Sequence, residues 1–253
     1  MATSGSYNYT TTRNDLIEQA LRKIGALGDH TAVATDTNKL AVGVAAINPV
    51  LRTMSTYGMP LWAMTTASIP FTNFTTNAPV TWGPSMTIST GTAGAGYRPL
   101  KVVHAVRRDS TTATAELDTP MIIGSYTDYM NMSGKESATG TPVMVFHNPL
   151  LANSTLNVWP LPDANAIANM TMQLWVQKEF QDFDGATDNP DFPTEWTEAF
   201  IYALAYHLAP NYGLPPSDRG QLRNDRDQLI AQLNGWGVEE GSFRLQPTVK
   251  RWR

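Results

Sequence analysis

The sequence predicts an α+β fold: helical pairs at the two ends of the chain form a four-helix bundle-like module, an antiparallel β-rich domain is inserted between them, and an extended C-terminal tail follows. Three observations carry this. Apolar residues recur at helical spacing near both ends of the chain. Between them come short alternating runs rich in Thr, Asn, Gly and Pro, which favour strands and turns. Beyond the last helical segment no period remains. The boundaries fall at 1–60 for the first helical pair, 61–190 for the β-rich insertion, 191–236 for the second pair and 237–253 for the tail.

The first helix is expected over 12–27, where Leu16, Ile17, Ala20, Leu21, Ile24 and Leu27 share a face. Thr12 and Asp15 form a capping pair, and Gly25 and Gly28 are stop signals. The second runs over 36–57 with a stripe of Leu40, Val44, Ile47, Leu51 and Met54. Pro49 lies inside it and should kink it near Ala45, because its ring clashes one turn back. In the insertion, strands are expected over 101–106, 113–117, 143–146, 155–159 and 170–178. The last two, separated by Pro160, Pro162, Asp163 and Asn165, read as an antiparallel hairpin with a long loop. The third helix begins after Pro193 and Thr194, with Trp196, Ala199, Phe200, Ala203, Leu204, His207 and Leu208 on one face, and ends at Pro210 and Gly213. A fourth runs from a Ser217 cap through Leu233 with Leu222, Leu229 and Ile230 inward, stopped by Gly235 and Gly237.

Composition narrows the function. Charged residues are 16% of the 253, against the usual figure of roughly a quarter. Interface cores are depleted in charge, so much of the surface is expected to face neighbours. A net charge of −4 does not suggest a nucleic-acid binder, and the absence of cysteine removes disulfides and thiolate chemistry. No run reaches the ~20 apolar residues a membrane helix needs. The first residues lack the basic and apolar regions of a signal peptide, so synthesis in a cytoplasm is expected.

Candidate chemistry is sparse. The glycine-rich run at 91–96 leads into a strand rather than a helix, so it reads as a β–β loop and not a phosphate cradle. Asp182, Asp184, Asp188 and Asp191 cluster before the third helix, but Gly185 and the missing final Glu do not fit a calcium loop. His30, His104, His147 and His207 are scattered without metal-ligand spacing, and His207 reads as a core or interface residue. No Gly-x-Ser-x-Gly elbow occurs. No enzyme activity, cofactor or metal is expected. The tail combines Arg244, Lys250, Arg251 and Arg253 with Phe243, Leu245 and Trp252, a mixture suited to docking in a partner's groove.

Several stretches carry a resemblance to a known family. They are TRNDLIEQALRKIG at 12–25, AAINPVL at 45–51 with GMPLW at 58–62, LNVWPLPD at 156–163 with the strand after it, and DFPTEWTEAF at 191–200 continuing to LAYHLAPNYG at 204–213. Together they resemble the head-to-tail adaptors of short-tailed phages, also called tail tubular protein A or packaged-DNA-stabilisation proteins. The resemblance implies a structural virion protein at the head–tail junction. It implies a homo-oligomeric ring, usually a dodecamer, mounted beneath the portal protein and receiving the tail nozzle or fibre proteins. Genomic DNA would pass through its channel without sequence-specific binding, and no membrane is involved. Family members grip the portal with the C-terminal segment. That role is carried here to Phe243, Arg244, Leu245 and Trp252, with Lys250, Arg251 and Arg253 beside them.

Two rival readings stand beside it. One is another tail or capsid component, such as a nozzle, decoration or glycan-binding protein, for which an exposed aromatic cluster from Trp82, Tyr97, Tyr126 and Tyr129 would speak. The other is an enzyme such as a cell-wall hydrolase, which would need convergent carboxylates in a cleft.

Overall fold

The computed structural model describes residues 9–28, 31–56, 61–76, 78–82, 99–111, 116–151 and 153–236. They form a mixed helical and sheet structure of the α+β class. Helix α1 spans Arg13–Lys23. Thr12 caps it: its Oγ1 accepts from the Asp15 N–H, while the Asp15 carboxylate accepts from the Thr12 N–H at 3.0 Å. Gly25, at φ 69°, takes the left-handed conformation that ends the turn. Helix α2 spans Thr37–Met54 behind an Asp36 cap and continues through Pro49. Its buried face is rotated from the expected stripe. Gly43, Ala46, Val50, Ile47, Leu51 and Met54 are inside, whereas Leu40 and Val44 are half-buried. The rotation brings Gly43 against Ile17 of α1, a contact that needs a residue without a side chain.

The strands are β1 (Met64–Pro70), β2 (Val80–Trp82), β3 (Lys101–Asp109), β4 (Leu117–Pro120), β5 (Ile122–Gly124), β6 (Thr139–Gly140), β7 (Met144–Pro149), β8 (Ser154–Trp159), β9 (Leu161–Pro162) and β10 (Met170–Gln177). Short helices α3 (Tyr126–Asn131) and α4 (Ala164–Asn169) interrupt them. One sheet runs β1-β10-β3-β4, a second β2-β8-β7-β5, and β6 pairs with β9. The inward residues of the two large sheets share one buried cluster, among them Ile69, Trp82, Val145, Leu156, Met172 and Leu174.

This arrangement corrects the hairpin expected from 155–159 and 170–178. Both strands exist, but β8 pairs with β2 and β7, and β10 with β1 and β3. Each alternates with its apolar side inward, Leu156 and Val158 from one sheet and Met172, Leu174 and Val176 from the other. They meet through the core rather than by hydrogen bonds. Pro160 and Pro162, which have no N–H to donate, stand where β8 ends, and Asp163 starts α4 by accepting from the Ala166 N–H at 2.8 Å. The insertion is also not wholly antiparallel, since β5 pairs with β7 and β6 with β9 in parallel. The chain between β5 and β7 is long and carries α3, as a parallel crossover requires. The expected strand at 113–117 lies at 117–120, and 112–115 fall outside the described residues.

After β10, Phe180 and Phe183 turn into the helical core. A 3₁₀ turn at Thr194–Trp196 leads into α5 (Thr197–Leu208), followed by a turn closed by Gly213 at φ 71°. Helix α6 spans Pro216–Trp236. It starts one residue before Ser217, whose hydroxyl donates to Asp218 at 2.9 Å, and runs past Gly235. Proline suits the first helical position because no intrahelical N–H is needed there. One buried cluster draws on α1, α2, α5 and α6, so both ends of the chain share a core.

The sheets join the helices through a narrow neck. The strands that enter and leave, β1 and β10, lie side by side, with Met64 opposite Gln177 and the Lys178 N–H donating to the Ala63 carbonyl at 3.0 Å. Trp62 stacks on Phe180 at 4.9 Å and meets Trp196 edge-on at 5.6 Å. On the outside, Arg52 of α2 holds Asp182 at 2.8 Å and Glu179 at 3.3 Å.

Candidate interaction surfaces

The seven tail residues assigned to partner binding, Phe243, Arg244, Leu245, Lys250, Arg251, Trp252 and Arg253, lie outside the described residues, as do the glycine run at 91–96, His30 and Tyr97.

The acidic stretch 182–191 is a braced connector. Asp182 pairs with Arg52, and Asp191 with Lys178 at 3.0 Å. Asp188 accepts from the Gly185 and Asp184 N–H groups at 2.5 and 2.8 Å. Those two bonds hold its carboxyl below the usual range, with a smaller contribution from Arg13. The Asp188 and Asp184 carbonyls in turn accept from the Arg13 N–H and guanidinium, both at 2.9 Å, which ties the connector to α1. Among the described residues no three His, Asp or Glu side chains converge as a metal would require.

His207 is exposed on α5, which corrects the core half of the core-or-interface reading and leaves the interface half. The helix buries Ala203, Leu204 and Leu208 against α1 and α2, and position 207 falls beyond the edge of that stripe. It lies instead in a cleft with Tyr206, Arg219 and Arg223. Of the aromatic residues considered for glycan recognition, Trp82, Tyr126 and Tyr129 lie among the described residues. Trp82 is fully buried between the sheets, and Tyr129 is buried and stacked on Phe146 at 5.3 Å. Tyr126 is 62% exposed.

An apolar rim that sequence reasoning missed surrounds Tyr126. Strands β4 and β5 are the last strands of the two large sheets, and the chain passes from one to the other through Met121. Ile122 is 65% exposed and Met130 51%, and Ile123 and Val143 are exposed as well. The Ile122 N–H donates to the Val143 carbonyl at 2.9 Å, and α3 packs across β5 and β7, so these residues belong to neighbouring elements. Leu117 of β4 is exposed on the same chain segment. The signal in the sequence was the pair Ile122-Ile123, which an alternating pattern cannot bury on one face. Close by, Arg108 grips Asp118 through two bonds of 2.9 Å and reaches Glu116 at 3.0 Å. The guanidinium holds the Asp118 carboxyl below its ordinary value.

No helix among the described residues is long and apolar enough to cross a membrane. The chain matches no model of a known protein family and no curated protein sequence.

Proposed function

We propose that this chain is a non-enzymatic structural virion protein, a ring adaptor between portal and tail that extends the DNA channel. The observation that carries the reading is the apolar rim on β5 and α3. Exposed apolar surface marks a place where another protein sits, and Ile122, Tyr126 and Met130 are exposed on neighbouring elements of a chain with few charges. The architecture supports it too, because both ends of the chain share a helical core while the sheets stand on a two-strand neck. In this reading α1, α2, α5 and α6 make a four-helix bundle-like module that builds the ring. The β insertion faces tail proteins, and the tail at 237–253 grips the portal. DNA passes through without sequence-specific contact. Trp82 and Tyr129 are buried, so those two side chains do not support the glycan-binding alternative.

The test is the mass of the purified chain, alone and with its portal, by native mass spectrometry and sedimentation. A closed ring, a dodecamer in the family pattern, is expected in at least one of the two conditions. A chain that stays monomeric in both, at every concentration, would overturn the proposal. Deleting residues 238–253 should abolish portal binding, and retained binding would refute the role given to the tail.

A further inference from the structure

Among the described residues, helix α6 buries little of its own surface. It has 21 residues, and Ile230 is the one that is buried. Leu222, Leu229 and Leu233 are half-buried against α5 and its neighbours. A cleft lies on each flank of that apolar stripe, and α6 gives the two clefts opposite charge. The first, of about 460 Å³, is lined by Tyr206, His207, Arg219, Gly220 and Arg223, with no carboxylate. The second, of about 360 Å³, is lined by Lys23, Tyr202, Asp218, Gln221 and Asp225. Among the described residues its one cation, Lys23, sits over the Tyr202 ring at 3.9 Å and lies 4.0 Å from Glu198, so two carboxylates face a single ammonium that is shared with a third.

At 3.6 residues per turn, Arg219 and Arg223 fall on one side of the Leu222–Leu229 stripe and Asp218 and Asp225 on the other. Among the described residues Asp218, Asp225 and Arg219 form no ion pair, and Arg223 has a long one of 3.7 Å to Asp227. The Arg219 Nε is buried without a hydrogen-bond partner among them. Among the described residues, therefore, the charges of both flanks are largely uncompensated.

A closed ring repeats one heterologous contact, one flank of each subunit against the opposite flank of the next. Opposite charges on the two flanks of one helix suit that contact. A two-fold dimer through either flank would set like charges against each other. We infer that neighbouring copies of this chain meet across α6, the Arg219 and Arg223 flank of one against the Asp218 and Asp225 flank of the next. The inference rests on the ring reading and names the surface that closes it.

Charge reversal tests it in the full chain. Arg219→Glu/Arg223→Glu sets acid against acid at every joint, and Asp218→Arg/Asp225→Arg sets base against base. Each variant alone should need at least about tenfold more protein to assemble. An equimolar mixture of the two should recover assembly as rings of even number with alternating subunits, because every joint then pairs opposite charges. The variant carrying all four changes should recover it as well. Far-UV circular dichroism establishes that each variant is folded before mixing. If the wild type forms rings and folded double variants form them equally well, or the mixture fails to recover, the α6 contact is wrong while the ring stands. If Arg219→Glu/Arg223→Glu assembles normally but loses affinity for a double-stranded oligonucleotide, the basic flank faces nucleic acid and the inference is overturned. If the wild type forms no ring with or without portal, the ring reading itself fails and the contact falls with it.

Discussion

Replacing Gly43 by alanine probes how closely α1 and α2 approach. A Cβ at Gly43 would stand 2.3 Å from Ile17 Cγ2, 3.2 Å from Cγ1 and 3.3 Å from Cβ. Ile17 is fully buried and β-branched, so Cγ2 cannot swing aside without an unfavourable χ1. In an open helix the same change gains about 1 kcal/mol, since glycine costs that much relative to alanine. Overpacking a core contact costs about 1–3 kcal/mol, and a 2.3 Å approach belongs at the upper end. The expected net loss is about 1–2 kcal/mol, seen as a lower midpoint in urea unfolding of the monomer with unchanged slope. Gly220→Ala is the control. A Cβ there meets nothing within 4 Å, so that variant should be more stable by about 0.5–1 kcal/mol. Ile17→Leu removes the β-branch at nearly constant volume and should recover part of the loss when combined with Gly43→Ala. If Gly43→Ala stabilised the protein as much as Gly220→Ala, the close approach of α1 and α2 would be refuted.

Other expectations follow from the same packing. Trp196→Ala should cost about 3–5 kcal/mol, because it empties the aromatic nest around Trp62 and Phe180, and thermal unfolding measures it. Asp36, Asp128 and Asp188 are held below the ordinary aspartate value, chiefly by hydrogen bonds from Lys39, Ser125 and the Gly185 N–H respectively. A lowered folded value contributes stability above the unfolded pKa of about 3.9 and loses it as pH falls through the folded value. Stability should therefore drop below about pH 4, and Asp188→Asn should flatten that dependence in acid titrations followed by circular dichroism. Arg108→Ala, at an exposed site, should cost no more than about 1 kcal/mol despite two carboxylate partners. Ile122→Ser with Tyr126→Ser should leave the melting temperature within a few degrees of the wild type while weakening association, since both side chains are more than half exposed and Tyr126 gives up one ring contact with Phe146.

Local chemistry was legible in the sequence, and long-range partnership was not. Thr12 with Asp15, Asp36, Gly25 and Gly213 marked helix ends correctly because capping and left-handed turns involve residues a few positions apart. The strand expected over 170–178 stands at Met170–Gln177, with Met170, Met172, Leu174 and Val176 inward, for the same reason. Tertiary structure alone decided which strand lay beside it. The ladder is made by backbone groups that every residue carries, so β8 and β10 were equally able to pair or to face each other across the core. It also decided that Trp82 is buried, that His207 is exposed and that Ile122 remains in water, because burial depends on what lies opposite each face. The two flanks of α6 show the same division. Positions 218, 219, 223 and 225 and their charges are written in the chain, but only the packing of the helix on α5 turns its buried stripe inward and leaves acid on one side and base on the other.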